Sequence, residues 1–296
     1  MLMGRMGHSR AVVVTVVEEE MTAVLAEFGT DHEVRGSGCW AKGPAQNSVY
    51  PLLVAQSSDR SNMPYGETVR YLIEDWKPEV VFLVGIAGGI ARLDSDGLVG
   101  PQAGDVVCVE YVHYGAYTKR VNGRRLLRYF PMEHPAAEVI RRHVRPIART
   151  EWFDRLPVAR PGDDRGIPEL HFGEIVSVEF LAGDVGVDEQ RALFGQYDHA
   201  LAVDMESAGI ARAMHSARHG VHYGPIWLGL RGISDRTAAT TEAASALNAE
   251  NDIERKQWRD YAAAAAARVA VRCVERILAE PRPPEPEDPG APAWTA

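Results

Sequence analysis

The chain predicts an α/β fold, and three observations in its 296 residues predict it. Runs of branched apolar residues alternate with amphipathic segments, the pattern of buried strands with helices packed over them. Residues 199–236 read strand, helix, strand over a length natural to a βαβ unit. Residues 248–278 carry an alanine run that strongly favours one long helix.

In chain order, residues 1–10 read as a flexible leader. Residues 11–17 are a strand, 18–28 a helix and 49–55 a weaker strand. The pattern of Val69, Leu72 and Ile73 makes 62–76 a helix, stopped by Lys77-Pro78. Residues 80–84 form a buried strand that runs into a glycine-rich exit at 85–89. Residues 106–109, extending toward His113, are the next strand. The segment from about 119 to 170 is rich in arginine and proline and has too few apolar residues for its own core. It reads as a basic insertion with a helix near 135–144 and an exposed loop at 157–168. Strand 175–181 and helix 188–194 lead into the βαβ stretch, in which Ser207 is placed to cap the helix. The proline- and acid-rich residues 281–296 read as a disordered tail, leaving 11–280 as one domain.

The totals narrow the function. A formal net charge of −9 argues against a general nucleic-acid or anionic-membrane binder. Cys39, Cys108 and Cys273 form no CxxC pair and no metal spacing, which suits a reduced, cytoplasmic protein. No apolar run approaches a membrane span. Arg5 and Arg10 before residues 11–17 look faintly like a signal peptide, but three glutamates follow and no small-residue cleavage site does.

In the βαβ stretch, Glu206 and Asp235 follow the two strands. Parallel strands present their carboxyl ends on one edge, where open α/β sheets bind ligands, so both acids are expected at one crevice. Acids also cap helices and end strands, and spacing alone leaves the two readings balanced. Glu18, Glu19 and Glu20 likewise suit the first turn of a helix dipole, or place a carboxylate at the end of the first strand to take a proton from water. Gly85 to Gly89 matches neither a P-loop nor a GxGxxG fingerprint. His215 and His219, with His222 nearby, lack the glutamate of a zinc protease motif and read as a solvated helix end. Arg141, Arg142, Arg145 and Arg149 form a basic face that either solvates or clasps a phosphate.

Taken in order, VEEEM (17–21), KPEVVFLVGIAGGIA (77–91), GDVV (104–107), LAGDV (181–185), AVDMESAGIA (202–211) and RGISD (231–235) resemble the nucleoside phosphorylase/nucleosidase superfamily. The likeness is greatest to its methylthioadenosine/S-adenosylhomocysteine nucleosidase branch. The resemblance implies a three-layer α/β/α sandwich around a central mixed, largely parallel sheet. It implies hydrolysis of the N-glycosidic bond of a purine nucleoside or nucleotide, with no metal and no cofactor. It makes Glu20 the base that activates water and Asp235 the acid at purine N7. Gly88, Met205, Glu206, Arg231 and Ser234 become substrate-binding residues, Glu206 taking the sugar hydroxyls. It also implies a homo-oligomer, a dimer or higher.

The sequence departs from that branch at three places. Ile86 replaces a small hydroxyl residue. Gly186 stands where an aromatic stacks on the purine, with Phe180 the available substitute. The 119–170 insertion is longer and more basic, so its arginines are a candidate clamp for a phosphorylated substrate such as AMP, ATP or NAD. Two other functions stay open. One is a phosphorylase, against which VEEEM occupies the phosphate-loop position; the other is a non-catalytic nucleotide-sensing or partner-binding module.

Overall fold

The computed structural model describes residues 8–34, 36–46, 49–122, 124–162, 166–181, 185–218, 223–247 and 251–281. The expectations for residues 1–7 and 282–296, and those for His219 and His222, lie outside them.

The first unit is β1 (His8–Thr15), α1 (Glu18–Phe28), the short strands β2 (His32–Val34) and β3 (Cys39–Ala41), β4 (Val49–Gln56) and α2 (Asn62–Trp76). There follow β5 (Val80–Asp94), β6 (Gly97–Val99), β7 (Val106–Tyr114) and a hairpin of β8 (Thr118–Val121) and β9 (Arg124–Leu127). After α3 (Ala137–Val139) come β10 (Leu170–Ser177), α4 (Asp188–Phe194), β11 (Ala200–Asp204), α5 (Ser207–Ala217), β12 (Ile226–Ala238), α6 (Thr241–Leu247) and α7 (Asn251–Leu278). The expected leader is therefore corrected at its end: residues 8–10 belong to β1, and Arg10 donates to the Leu278 and Glu280 carbonyls.

The main sheet runs β11-β10-β7-β12-β5-β1-β4-β3-β2. Alternate strand residues point to opposite faces, so Val13, Phe82 and Leu230 pack under α1 and α7. Val12, Val14, Val81 and Leu83 pack under α2 and α5. This is the expected three-layer α/β/α arrangement around a mixed sheet. The alanines of α7 matter for closeness as well as propensity. Residues 262–267 are all buried, and a side chain at Gly232 of β12 would run into the Ala262 carbonyl.

Two expectations are corrected. β5 does not end at the glycines: it continues to Asp94, and Gly88 and Gly89 bond to β12 on one side and to β11 on the other. A Cβ at Gly89 would sit 2.8 Å from the Pro101 carbonyl oxygen, so a side chain would bar this close passage. Nor are β11 and β12 parallel neighbours. β11 is parallel to β10 and antiparallel to β5, whereas β12 is parallel to β5 and antiparallel to β7. The β11–β5 bonds close the sheet on itself, and closure, not a shared parallel edge, brings the ends of β11 and β12 together.

The buried apolar residues described in the 119–170 segment join the main core. Ile140, Val144, Ile147 and Trp152 pack into the core under α7. Its helix is one turn of α3 followed by a π-helical turn at Ile140–Val144, and its hairpin β8-β9 is absent from the sequence expectation.

Candidate active site

The cleft lies where the ends of β1, β11 and the bent middle of β5 and β12 converge. Glu20, Ile86, Gly88, Phe180, Met205, Glu206, Ser234 and Asp235 line it.

Glu20 is the third residue of α1, and of the three glutamates it is the buried one. Its Oε2 accepts hydrogen bonds from the Val16 and Val17 amides at 2.7 and 3.1 Å, and its Oε1 from the Ile86 amide at 2.8 Å. Both readings of this position hold together: the carboxylate caps the helix and faces the cleft. Burial raises its pKa, while Arg231 and the three amides pull it back down. Gly85 makes room for it, since a Cβ there would collide with Glu20 Oε1 and stand 2.6 Å from an Arg231 nitrogen.

Glu206 is the residue before α5. Its Oε2 accepts from Arg231 at 2.6 Å and its Oε1 from the Ser61 amide at 3.2 Å. Burial, with Asp204 and Glu20 nearby, pushes its pKa up to about 7 against the pull of Arg231. Asp204, at the end of β11, accepts both the Nε and an Nη of Arg231, at 3.0 and 2.6 Å. It also accepts the Ser207 amide and hydroxyl, so Asp204 rather than Ser207 caps α5, correcting the expected cap.

Arg231 has no solvent exposure and does not line the cleft. The expectation that it binds substrate is corrected: it lies behind the cleft and holds Asp204 and Glu206. Burial disfavours its charge, and the carboxylates of Asp204, Glu206 and Glu20 outweigh that.

Asp235 stands beside Gly88 in the β5–β12 register, just after a bulge at Ser234. The Ser234 hydroxyl donates to its Oδ1 at 2.5 Å, so Ser234 acts on the acid as well as lining the cleft. Burial raises the Asp235 pKa to about 6, with Ser234 and Arg255 opposing. Met205, Val203, Phe180 and Gly88 belong to the same lining. Residues 182–184 of the LAGDV motif lie outside the described residues.

Among the described residues of the basic insertion, none lines this site. Arg141 and Arg142 pair with Glu138, Arg145 pairs with Glu110, and none of the three lines the cleft. The expected phosphate clamp on 119–170 is therefore corrected: Arg145 packs over Phe172, Arg276 of α7 donates to the Arg142 carbonyl, and the segment covers the α7 layer. Among the described residues, Arg60, Arg255 and Arg259 are the cations that line the cleft.

Sequence reasoning missed Asp204, Asn62 and these three arginines. Asp204 had a readable signal: an arginine inside the apolar run of β12 needs carboxylate partners. Asn62 had none. It sits between layers, taking bonds from the Ser177 hydroxyl and the Gly209 amide at 2.9 and 2.8 Å, and tying α2 to α5.

A sequence model of the phosphorylase superfamily matches residues 10–275. A search of curated proteins found no match. Among solved structures, the 5'-methylthioadenosine/S-adenosylhomocysteine nucleosidase of Neisseria meningitidis, bound to methylthio-immucillin-A, superposes with a TM-score of 0.65 at 18% identity, covering 90% of this chain and 99% of that one. Futalosine hydrolase of Helicobacter pylori gives a TM-score of 0.61 at 17% identity, covering 92% and 100%. The methylthioadenosine/S-adenosylhomocysteine nucleosidase of Colwellia psychrerythraea, in complex with adenine, gives 0.64 at 14%, covering 91% and 96%.

Proposed function

The chain belongs to the phosphorylase superfamily, and on that premise we propose that it hydrolyses the N-glycosidic bond of a purine nucleoside or nucleotide and releases the base. The observation that carries this is the meeting of Glu20, Glu206 and Asp235 in one cleft, each buried against its preference for water.

Adenine is a poor leaving group as an anion, so proton donation at N7 lowers the barrier. Asp235 is the donor. With its pKa near 6, about a tenth of it is protonated at pH 7, far more than for an ordinary aspartate. Ser234 fixes its orientation. Glu206 holds the sugar 2′- and 3′-hydroxyls while Arg231 fixes its other oxygen, and Met205 packs on the sugar. Glu20 takes the proton of the attacking water. The sugar becomes cationic as the bond breaks, and fixed carboxylates in a cleft poor in water favour that charge. Phe180 is the residue placed to pack on the base. The structural neighbours, nucleosidases and a futalosine hydrolase, support the same reaction class.

The reaction takes place within one domain spanning 11–280. Three buried, unpaired thiols support a reducing cytoplasm, and among the described residues no helix is long and apolar enough to cross a membrane. A groove between α2 and α5 lined by Met63, Phe130 and Ala213 supports assembly with a second copy, which light scattering would measure.

The test is to incubate the protein with methylthioadenosine, S-adenosylhomocysteine, adenosine, AMP, ATP and NAD, with and without phosphate, and to measure free base and sugar 1-phosphate. Base release without phosphate is expected, and its loss in Asp235→Asn. Release that requires phosphate would make the protein a phosphorylase. No release from any of the six would leave a binding module.

A further inference from the structure

The hydrolase reading leaves open what the sugar carries at its 5′ carbon, and the cleft contains charges that the reaction itself does not use. Three arginines line it in a chain whose net charge is −9. Their circumstances differ. Arg259 is committed to Glu19 at 2.6 Å. Among the described residues, Arg60 and Arg255 pair with no carboxylate. Arg60 is exposed at the mouth, and Arg255 reaches from the first turns of α7 toward the Asp235 side, where its charge is felt by that acid.

The segment that presents Arg60 is built rather than loose. The next residue, Ser61, has φ of 88°, a left-handed conformation costly for a residue with a Cβ. The surroundings hold it there: its amide donates to Glu206 Oε1 at 3.2 Å and its hydroxyl to Glu179. Glu179 is in turn held by the Asn62 side-chain Nδ2 at 3.0 Å and the Tyr114 hydroxyl at 2.8 Å. Arg60 is thus tied, one residue away, to the carboxylate that takes the sugar hydroxyls. Its segment adjoins the sugar end of the cleft through Ser61, while Arg255 acts on the acid end.

We propose that the substrate is a purine nucleotide, with the anionic phosphate on the 5′ carbon bound by Arg60 and Arg255 offsetting part of the negative charge of the carboxylates that line the cleft. The proposal rests on the hydrolase reading. A guanidinium at the mouth of the cleft that pairs with no carboxylate, as that of Arg60 does, serves an anionic ligand, because a neutral 5′ group would leave it nothing to recognise. A free phosphate acting as nucleophile is the other source of the same chemistry. It would have to approach the sugar from the side of Glu20, against a buried carboxylate.

The experiment compares kcat/KM for AMP, ATP, adenosine and methylthioadenosine in the wild type, Arg60→Met, Arg60→Lys and Arg255→Met, each with and without inorganic phosphate. The expected result is a preference for nucleotides over neutral nucleosides. Arg60→Met should lower that preference by about 10–100-fold through KM, and Arg60→Lys should recover part of it. Nucleotide binding to Asp235→Asn, measured by calorimetry, should weaken with salt. Equal or better turnover of the neutral nucleosides, with the ratio unmoved in Arg60→Met, overturns the nucleotide assignment while leaving the hydrolase intact. Sugar 1-phosphate formed only with inorganic phosphate, and lost in Arg60→Met, assigns Arg60 to a nucleophile site instead. No base released from any substrate removes the hydrolase reading itself.

Discussion

Replacing Asp235 with asparagine should make the protein more stable and inactive, and the gain should depend on pH. Asp235 is a buried carboxyl whose pKa is raised from 3.8 to about 6, first by burial. At roughly 1.4 kcal/mol for each tenfold change in acidity, that rise corresponds to about 3 kcal/mol held against folding once the group ionises. Because the folded pKa lies above the unfolded one, the folded protein binds the extra proton. Stability is whole below about pH 4, falls as pH rises, and has lost its full share above about pH 6. Asparagine cannot ionise and its carbonyl still accepts the Ser234 hydroxyl, so most of that share should return: about 1–3 kcal/mol at pH 8, shrinking toward zero near pH 4. Urea unfolding of both proteins from pH 4.5 to 8, alongside a base-release assay, measures it. A variant less stable than wild type at pH 8, or a difference that does not change with pH, would refute the argument that the fold holds Asp235 ready to give up a proton.

The acid's titration should also appear in kinetics: kcat/KM should fall as pH rises through about 6, and Asp235→Asn should abolish that limb together with the rate. Arg231→Met leaves Asp204 and Glu206 buried without their cation and should cost about 3–5 kcal/mol by urea unfolding. The loss should ease at low pH, because carboxyls raised further in the folded state bind protons there. Gly85→Ala should lower kcat by about 100-fold or more while leaving a folded protein by circular dichroism, since its methyl group would displace Glu20 and Arg231 from their bonded positions. Asn62→Ala should cost about 1–3 kcal/mol by leaving the buried Gly209 amide unpaired, and should loosen α2 from α5 in hydrogen exchange.

The sequence by itself determined the elements that depend on periodicity and punctuation. Helices α1, α2 and α4 begin and end where their apolar spacing and the Lys77-Pro78 stop say, and β1, β4 and the start of β5 follow branched apolar runs. It also named Glu20, Glu206 and Asp235 among the carboxylates of the cleft, through the order of motifs rather than through any spacing rule. What only the tertiary structure decided depends on contacts between distant segments. Glycines 85–89 read locally as a strand exit. They form the middle of a strand because two others bond to them, and no local pattern records that. Arg231 reads as a site residue, and burial behind Asp204 makes it a brace. The insertion arginines read as a solvated face or a clamp, and Arg141, Arg142 and Arg145 pair with Glu138 and Glu110 instead of lining the cleft. Arg60 and Arg255, 195 positions apart in the chain, read as nothing in particular. They share one cleft because the sheet closes at Gly88, and charge acts through space, not along the sequence.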